Sequence, residues 1–153
     1  MREACSFITK NERETRELAR RIARLLDRGA VLALEGDLGA GKTTFAQGMA
    51  EELGIEQPVD SPTFTIVKEY EGKLPFYHMD VYRVDSPEEE LGLEEYFYGE
   101  GICLVEWASR IEPILPEDTL WFHLKVEPNG TRRILITSTH SRAIRLCKEL
   151  QTT

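Results

Sequence analysis

The sequence is short of cysteine, of basic charge and of long apolar runs, and each shortage removes a class of protein. Its three cysteines (Cys5, Cys103 and Cys147) stand far apart and are odd in number. They match no metal-ligand spacing and argue against a disulfide framework, which points to an intracellular protein. Lys and Arg total 19 against 27 Asp and Glu, a net charge of −8. A broad nucleic-acid-binding face is therefore not expected, although a local basic patch would fit. No apolar stretch approaches the ~20 residues that cross a bilayer, and Met1 to Cys5 lacks the apolar core of a signal peptide. The expected setting is the cytoplasm. Repeats, low-complexity tracts and linkers are missing too. A chain of 153 residues, 41% hydrophobic and 30% charged, reads as one domain over residues 1–153.

What is present centres on Gly36-Asp37-Leu38-Gly39-Ala40-Gly41-Lys42-Thr43, which fits GxxxxGK[ST] at every fixed position. The glycines let the backbone turn tightly and bring successive N–H groups onto phosphate oxygens. Lys42 adds a charge for the β- and γ-phosphates, and the Thr43 hydroxyl can ligate Mg²⁺. The apolar run Ala30–Leu34 ahead of it reads as a buried strand. Thr43–Leu53 behind it reads as a helix ended by Gly54, so bound phosphates would meet a helix N-terminus. The expected class is α/β, a P-loop NTPase fold. It is a three-layer sandwich with a mixed, mostly parallel central sheet and antiparallel hairpins.

In chain order, Thr9 and Glu12 read as a capping box for a helix running to about Arg28. Connectivity brings the Thr9–Asn11 region near a bound base. After the P-loop helix, Gln57–Pro62 is a turn-rich loop leading into a strand at Thr63–Val67. The hydroxyls of Ser61, Thr63 and Thr65 suit a loop that senses the γ-phosphate. They suit equally a Ser-Pro turn that opens a strand. A returning strand at Leu74–Tyr82 completes a hairpin and puts His78 and Asp80 on one face. Pro87 opens an acidic helix. Ile102–Glu106 is a second strand that ends in an acid, the place where α/β nucleotide enzymes keep a metal-organising carboxylate. Asp80 and Glu106 are rivals for that role. Trp107 follows Glu106 directly, and Arg110 is either a phosphate ligand or a surface residue. Strands at Thr119–Val126 and Arg132–Thr137 flank the turn Pro128-Asn129-Gly130, and an amphipathic helix at Ser141–Leu150 follows.

With these blocks in hand, the chain resembles the TsaE (YjeE) family over essentially its whole length. This is the bacterial ATPase family that serves threonylcarbamoyladenosine (t6A) synthesis on tRNA. The resemblance rests on GDLGAGKTT at 36–44, SPTFT at 61–65, HMDVYR at 78–83 and VEW at 105–107. It implies ATP and Mg²⁺ as cofactors, with Thr43 and Glu106 holding the metal and Lys42, Asp80 and Glu106 carrying hydrolysis. It implies nucleotide contacts from Asp37, Leu38, Gly39, Ala40, Gly41, Lys42, Thr43 and Thr44. Thr9, Thr65 and Trp107 join them, as does one arginine of the last hairpin, Arg132 or its neighbour Arg133. It also implies partners, the TsaD and TsaB subunits, with ATP turnover resetting their complex between rounds. Composition and spacing say nothing of those partners. The alternative is a small-molecule or nucleotide kinase using the same loop, although no arginine-rich lid stands out. A GTPase is disfavoured because Asn-Lys-x-Asp and DxxG segments are missing. A non-catalytic ATP switch would have less need of two acids.

Overall fold

The computed structural model describes residues 3–37, 39–60, 62, 66–85, 92–138 and 140–152. The chain runs β1 (Glu3–Thr9), α1 (Glu12–Leu25), β2 (Val31–Gly36), α2 (Lys42–Glu52), β3 (Val67–Tyr70) and β4 (Phe76–Asp80). It continues through α3 (Glu94–Phe97), β5 (Ile102–Glu106), a 3-10 segment Ala108–Ile114, β6 (Leu120–Val126), β7 (Arg132–Thr137) and α4 (Ser141–Thr152). The seven strands form one sheet in the order β1-β7-β6-β2-β5-β4-β3. Strand β2 pairs in parallel with both β5 and β6, and β4 extends the parallel set beside β5. The β6–β7 and β3–β4 hairpins are antiparallel, as is β1 against β7. Five strands (β1, β6, β2, β5, β4) therefore run one way and β7 and β3 the other, which is the mixed, mostly parallel sheet of a P-loop fold.

The alternation of β2 and β5 divides the core. Leu32, Leu34, Ile102 and Leu104 pack toward α1, α2 and α4, among Ile22, Phe45, Met49 and Leu146. Val31, Ala33, Cys103 and Val105 point the other way, against Phe97 of α3 and Ile111 of the 3-10 segment. A strand buried on both faces reads as a continuous apolar run, as 30–34 and 102–105 do. The chain is thus three layers, with the sheet in the middle.

Several expectations need correcting. Residues 3–9 form a strand that sequence reading did not assign. Thr9 is its last residue, in register with Arg132, so it cannot cap α1. The N-cap is Asn11, whose side chain accepts the Glu14 N–H, while the Glu14 carboxylate accepts the Lys10 N–H. The capping device is present two residues later than expected. Helix α1 also ends at Leu25, before Arg28. Strand β3 begins at Val67, and Ser61 and Thr63–Thr65 lie outside the described residues, as do Ser86–Leu91 where the acidic helix was expected. Strand β4 is shorter than expected because the chain turns after Asp80, with Val84 N–H returning to the Val81 carbonyl.

Cysteine usage is the plainest correction. Cys5 on β1 and Cys147 on α4 form a disulfide, their Cα atoms 5.9 Å apart across 142 residues of sequence. The step from unpaired cysteines to an intracellular setting therefore loses its premise. Cys103 is a buried thiol in β5, and desolvation pushes its pKa up to about 12. No helix among the described residues is long and apolar enough to cross a membrane.

Candidate functional site

At the carboxyl end of β2, between the divergent neighbours β5 and β6, the chain turns through the P-loop into α2. This is the switch point where open α/β sheets bind ligands. Gly39 and Gly41 hold φ of 81° and 103°, a region closed to most side chains. Gly41 is the N-cap of α2 and offers no side-chain cap, so the first N–H groups of that helix stay available to an anion. A cavity of about 580 Å³ opens here, lined on this side by Gly39, Gly41, Lys42, Thr43 and Thr44. Its size suits a small-molecule ligand.

The two acids reach the same cavity by strand alternation. Asp80 ends β4 and Glu106 ends β5, and the two are register partners on adjacent parallel strands. Both line the cavity. Their surroundings differ. Glu106 is only 3% exposed, and its Oε2 lies 2.6 Å from Nε2 of His78, which is fully buried. Asp80 is half-buried and accepts the Tyr82 N–H at 2.9 Å. Desolvation raises the Asp80 pKa, the Tyr82 hydrogen bond offsets part of that rise, and the Glu106 charge adds to it.

Lys42 is nearly buried, and its Nζ sits 4.2 Å from the centroid of the Trp107 ring. That cation–π contact is worth roughly 0.5–2 kcal/mol, so the lysine has a packing role that sequence reading did not foresee. Trp107 is the one non-glycine residue of the described chain with positive φ, at 61°. Backbone strain of this kind costs about 1–3 kcal/mol and clusters at functional sites. Tyr82 packs against Trp107 at 4.9 Å, and the Arg110 guanidinium lies over Tyr82 at 5.1 Å. Arg110 therefore caps an aromatic pair beside the cavity and is not part of its lining.

The far wall comes from elements that sequence reading treated thinly. Asn11, Glu12 and Thr15 line it from the start of α1, and Gly130 and Arg132 from the β6–β7 hairpin. Arg132 reaches the P-loop directly, its Nη2 donating to the Gly39 carbonyl at 3.2 Å. Arg133 points elsewhere and pairs with Glu127 at 2.7 Å. Of the two hairpin arginines, Arg132 is the one at the cavity. Thr9 stands one residue behind the wall, its buried hydroxyl 2.6 Å from that of Thr15. Asp37 is exposed and Ala40 is buried in the core, and neither lines the cavity. Leu38 and Thr65 lie outside the described residues.

The donor set around Glu106 fits a hard cation. Mg²⁺ takes oxygen ligands, with one or two protein groups supplemented by phosphate and water. Thr43 and Glu106 are two such oxygen donors lining the cavity. Among the described residues no group of three or more His, Cys, Asp or Glu could hold a metal by itself. A cation here would be completed by the ligand's own oxygens.

Known proteins resemble this chain in sequence and in fold. The sequence model of the family described as "Threonylcarbamoyl adenosine biosynthesis protein TsaE" matches residues 9–134. The "tRNA threonylcarbamoyladenosine biosynthesis protein TsaE" of Bacillus subtilis is 53% identical over 143 residues, covering 93% of this chain and 90% of that protein. The protein of the same name from Treponema pallidum is 41% identical over 131 residues, 84% of this chain and 97% of its own. The crystal structure of Bacillus subtilis YdiB superposes with a TM-score of 0.86 at 48% identity, covering 97% of this chain and 94% of that one. A family model that spans most of the chain and relatives alike in sequence and fold lead to one conclusion: the chain belongs to the TsaE family.

Proposed function

We propose that this protein binds ATP with Mg²⁺ in the P-loop cavity and hydrolyses it in support of t6A modification of tRNA. The observation that carries the reading is the convergence of Lys42, Thr43, Asp80, Glu106 and Arg132 on one cavity at the N-terminus of α2. In this reading the loop N–H groups and Lys42 hold the β- and γ-phosphates, and Arg132 adds charge from the opposite wall. Thr43 and Glu106 would hold Mg²⁺, which would supply neutralisation of phosphate charge. Asp80 orients the attacking water. The water oxygen bonds to the γ-phosphorus, the bond to the β–γ bridging oxygen breaks, and ADP leaves with that electron pair, while one water proton stays on the phosphate as P–OH and the other passes to solvent. Lys42 lies over the Trp107 ring and both line the cavity, so the indole should report occupancy. The cytoplasm, where tRNA is modified, is the setting this reading requires. Partner subunits equivalent to TsaB and TsaD would be reset by the turnover.

The test is phosphate release from ATP, with and without the partner subunits, for the wild type and Lys42→Ala. The wild type should turn over well below about 10 s⁻¹ alone, the median for enzymes, and faster with partners. Lys42→Ala should lose nucleotide binding while remaining folded. Wild-type affinity in that variant would overturn the reading. Transfer of phosphate to a small-molecule acceptor in preference to water would replace it with a kinase.

A further inference from the structure

His78 is the buried group for which the proposed chemistry has given no reason. It is fully inaccessible in β4, its ring near-parallel to that of Phe76 at 6.1 Å between centroids. Its Nε2 lies 2.6 Å from Glu106 Oε2 on the neighbouring strand. The residues are diagonal neighbours, since Asp80, two residues along, is the register partner of Glu106. The other ring nitrogen, Nδ1, is buried with no hydrogen-bond partner among the described residues. A proton on Nδ1 would be left without an acceptor, whereas a proton on Nε2 lies on the carboxylate. The site therefore satisfies the imidazole only as an Nε2–H donor.

We propose that His78 is a positioning residue for Glu106, donating Nε2–H to Oε2 so that the second carboxylate oxygen is held toward Thr43 and the cation. The proposal rests on the reading of Glu106 as a metal ligand. A carboxylate without such a partner would rotate about its terminal torsion, which has no strong staggered preference. Groups that orient a metal's ligands typically alter metal affinity or activity by about 10–100-fold when removed. An aliphatic residue would fill the same core volume, so packing alone does not call for a histidine.

The test compares ADP affinity in EDTA with that in Mg²⁺, by calorimetry, for the wild type, Glu106→Gln, His78→Gln, His78→Leu and His78→Asn. Thermal midpoints are recorded alongside. The wild type should bind more tightly in Mg²⁺. His78→Leu and His78→Asn should lose about 10-fold or more of that tightening while keeping their EDTA affinity. His78→Gln carries an amide N–H at the reach of Nε2 and should retain most of it. Unchanged Mg²⁺ tightening in His78→Leu overturns the proposal. Equal losses with and without Mg²⁺ also overturn it, because they would mark a merely structural residue. If Glu106→Gln keeps its Mg²⁺ dependence, the metal-ligand reading itself has failed. If only Glu106→Gln loses it, the His78 proposal alone has failed. The ¹⁵N spectrum of the wild-type histidines decides the matter even if the variants do not fold. A His78 proton on Nε2 is expected, and one on Nδ1 refutes the inference.

Discussion

Helices α1 and α2 meet at Gly48, and enlarging that residue by one methyl group tests how closely they are held. A Cβ built there would lie 2.5 Å from the Arg16 carbonyl oxygen, 2.8 Å from Ala19 Cβ and 3.1 Å from Arg16 Cα. Ordinary carbon contacts need about 3.5–4.0 Å, so the helices must part by roughly 1 Å. Two of the three obstructing atoms are backbone, so no flexible side chain can swing aside. Overpacking costs about 1–3 kcal/mol, and the backbone contacts at 2.5 and 3.1 Å put this site in the upper part of that range, at about 2–3 kcal/mol. Alanine's better helix propensity offsets about 1 kcal/mol of it. The expected net loss is about 1–2 kcal/mol, which for a chain of this size lowers the thermal midpoint by roughly 2–8 °C. The wedge also bears on the site. The start of α1 (Asn11, Glu12, Thr15) and the first turn of α2 (Lys42, Thr43, Thr44) both line the cavity. Gly48→Ala should therefore weaken nucleotide binding several-fold, short of the loss in Lys42→Ala. Calorimetric unfolding and nucleotide titration are the assays. A midpoint at or above that of the wild type would mean that propensity wins and that the two helices are not fixed at this distance.

Asp80→Asn should lose most turnover yet gain stability at neutral pH. Burial raises the native Asp80 pKa, so the wild type carries a penalty that is absent at low pH, grows as pH passes the ordinary Asp range and is complete above the raised native value. The stability difference between variant and wild type should therefore shrink on acidification, and a constant difference from pH 3 to 7 would contradict this. Without reductant, the folded protein should yield no rapidly reacting thiol, because Cys5 and Cys147 are joined and Cys103 is buried with its pKa at about 12. Unfolding should release one thiol, and unfolding with reduction three, as counted by a colorimetric thiol reagent. Reduction of the native protein, or Cys147→Ser, should lower stability by about 2–4 kcal/mol, and an unchanged melting curve would argue that the link adds nothing to the packing of α4.

The parts of the fold that could be read in the sequence are those whose signals are local. The strand ahead of the P-loop, the acid-ended strand at 102–106 and the Asn129-Gly130 hairpin each carry their cue within a few residues. Strand β1 does not. Its partner β7 begins more than 120 residues later, and Glu3–Thr9 shows no clean alternation of apolar and polar residues. Thr9 then looked like a helix cap because a threonine ending a strand and one starting a helix share the same chemistry. The site divides in the same way. Lys42, Thr43, Asp80 and Glu106 stand in motifs, whereas Asn11 and Thr15 reach the cavity only through the packing of α1. Arg132 and Arg133 are equivalent in sequence, and strand alternation together with Glu127 separates them. The partner of His78 lies 28 residues away on another strand, beyond any motif.

The bond between Cys5 and Cys147 makes a closed ring of nearly everything in the chain, with the P-loop, both acids and Arg132 inside it. A single proteolytic cut in any loop of that ring leaves one covalent molecule, separable into two pieces only after reduction. A pull on the segments outside the two cysteines is borne by sulfur and by the short path between β1 and α4. The cavity lies within the ring, away from that path. The link therefore ties the edge strand β1 to α4 by a path that bypasses the rest of the chain.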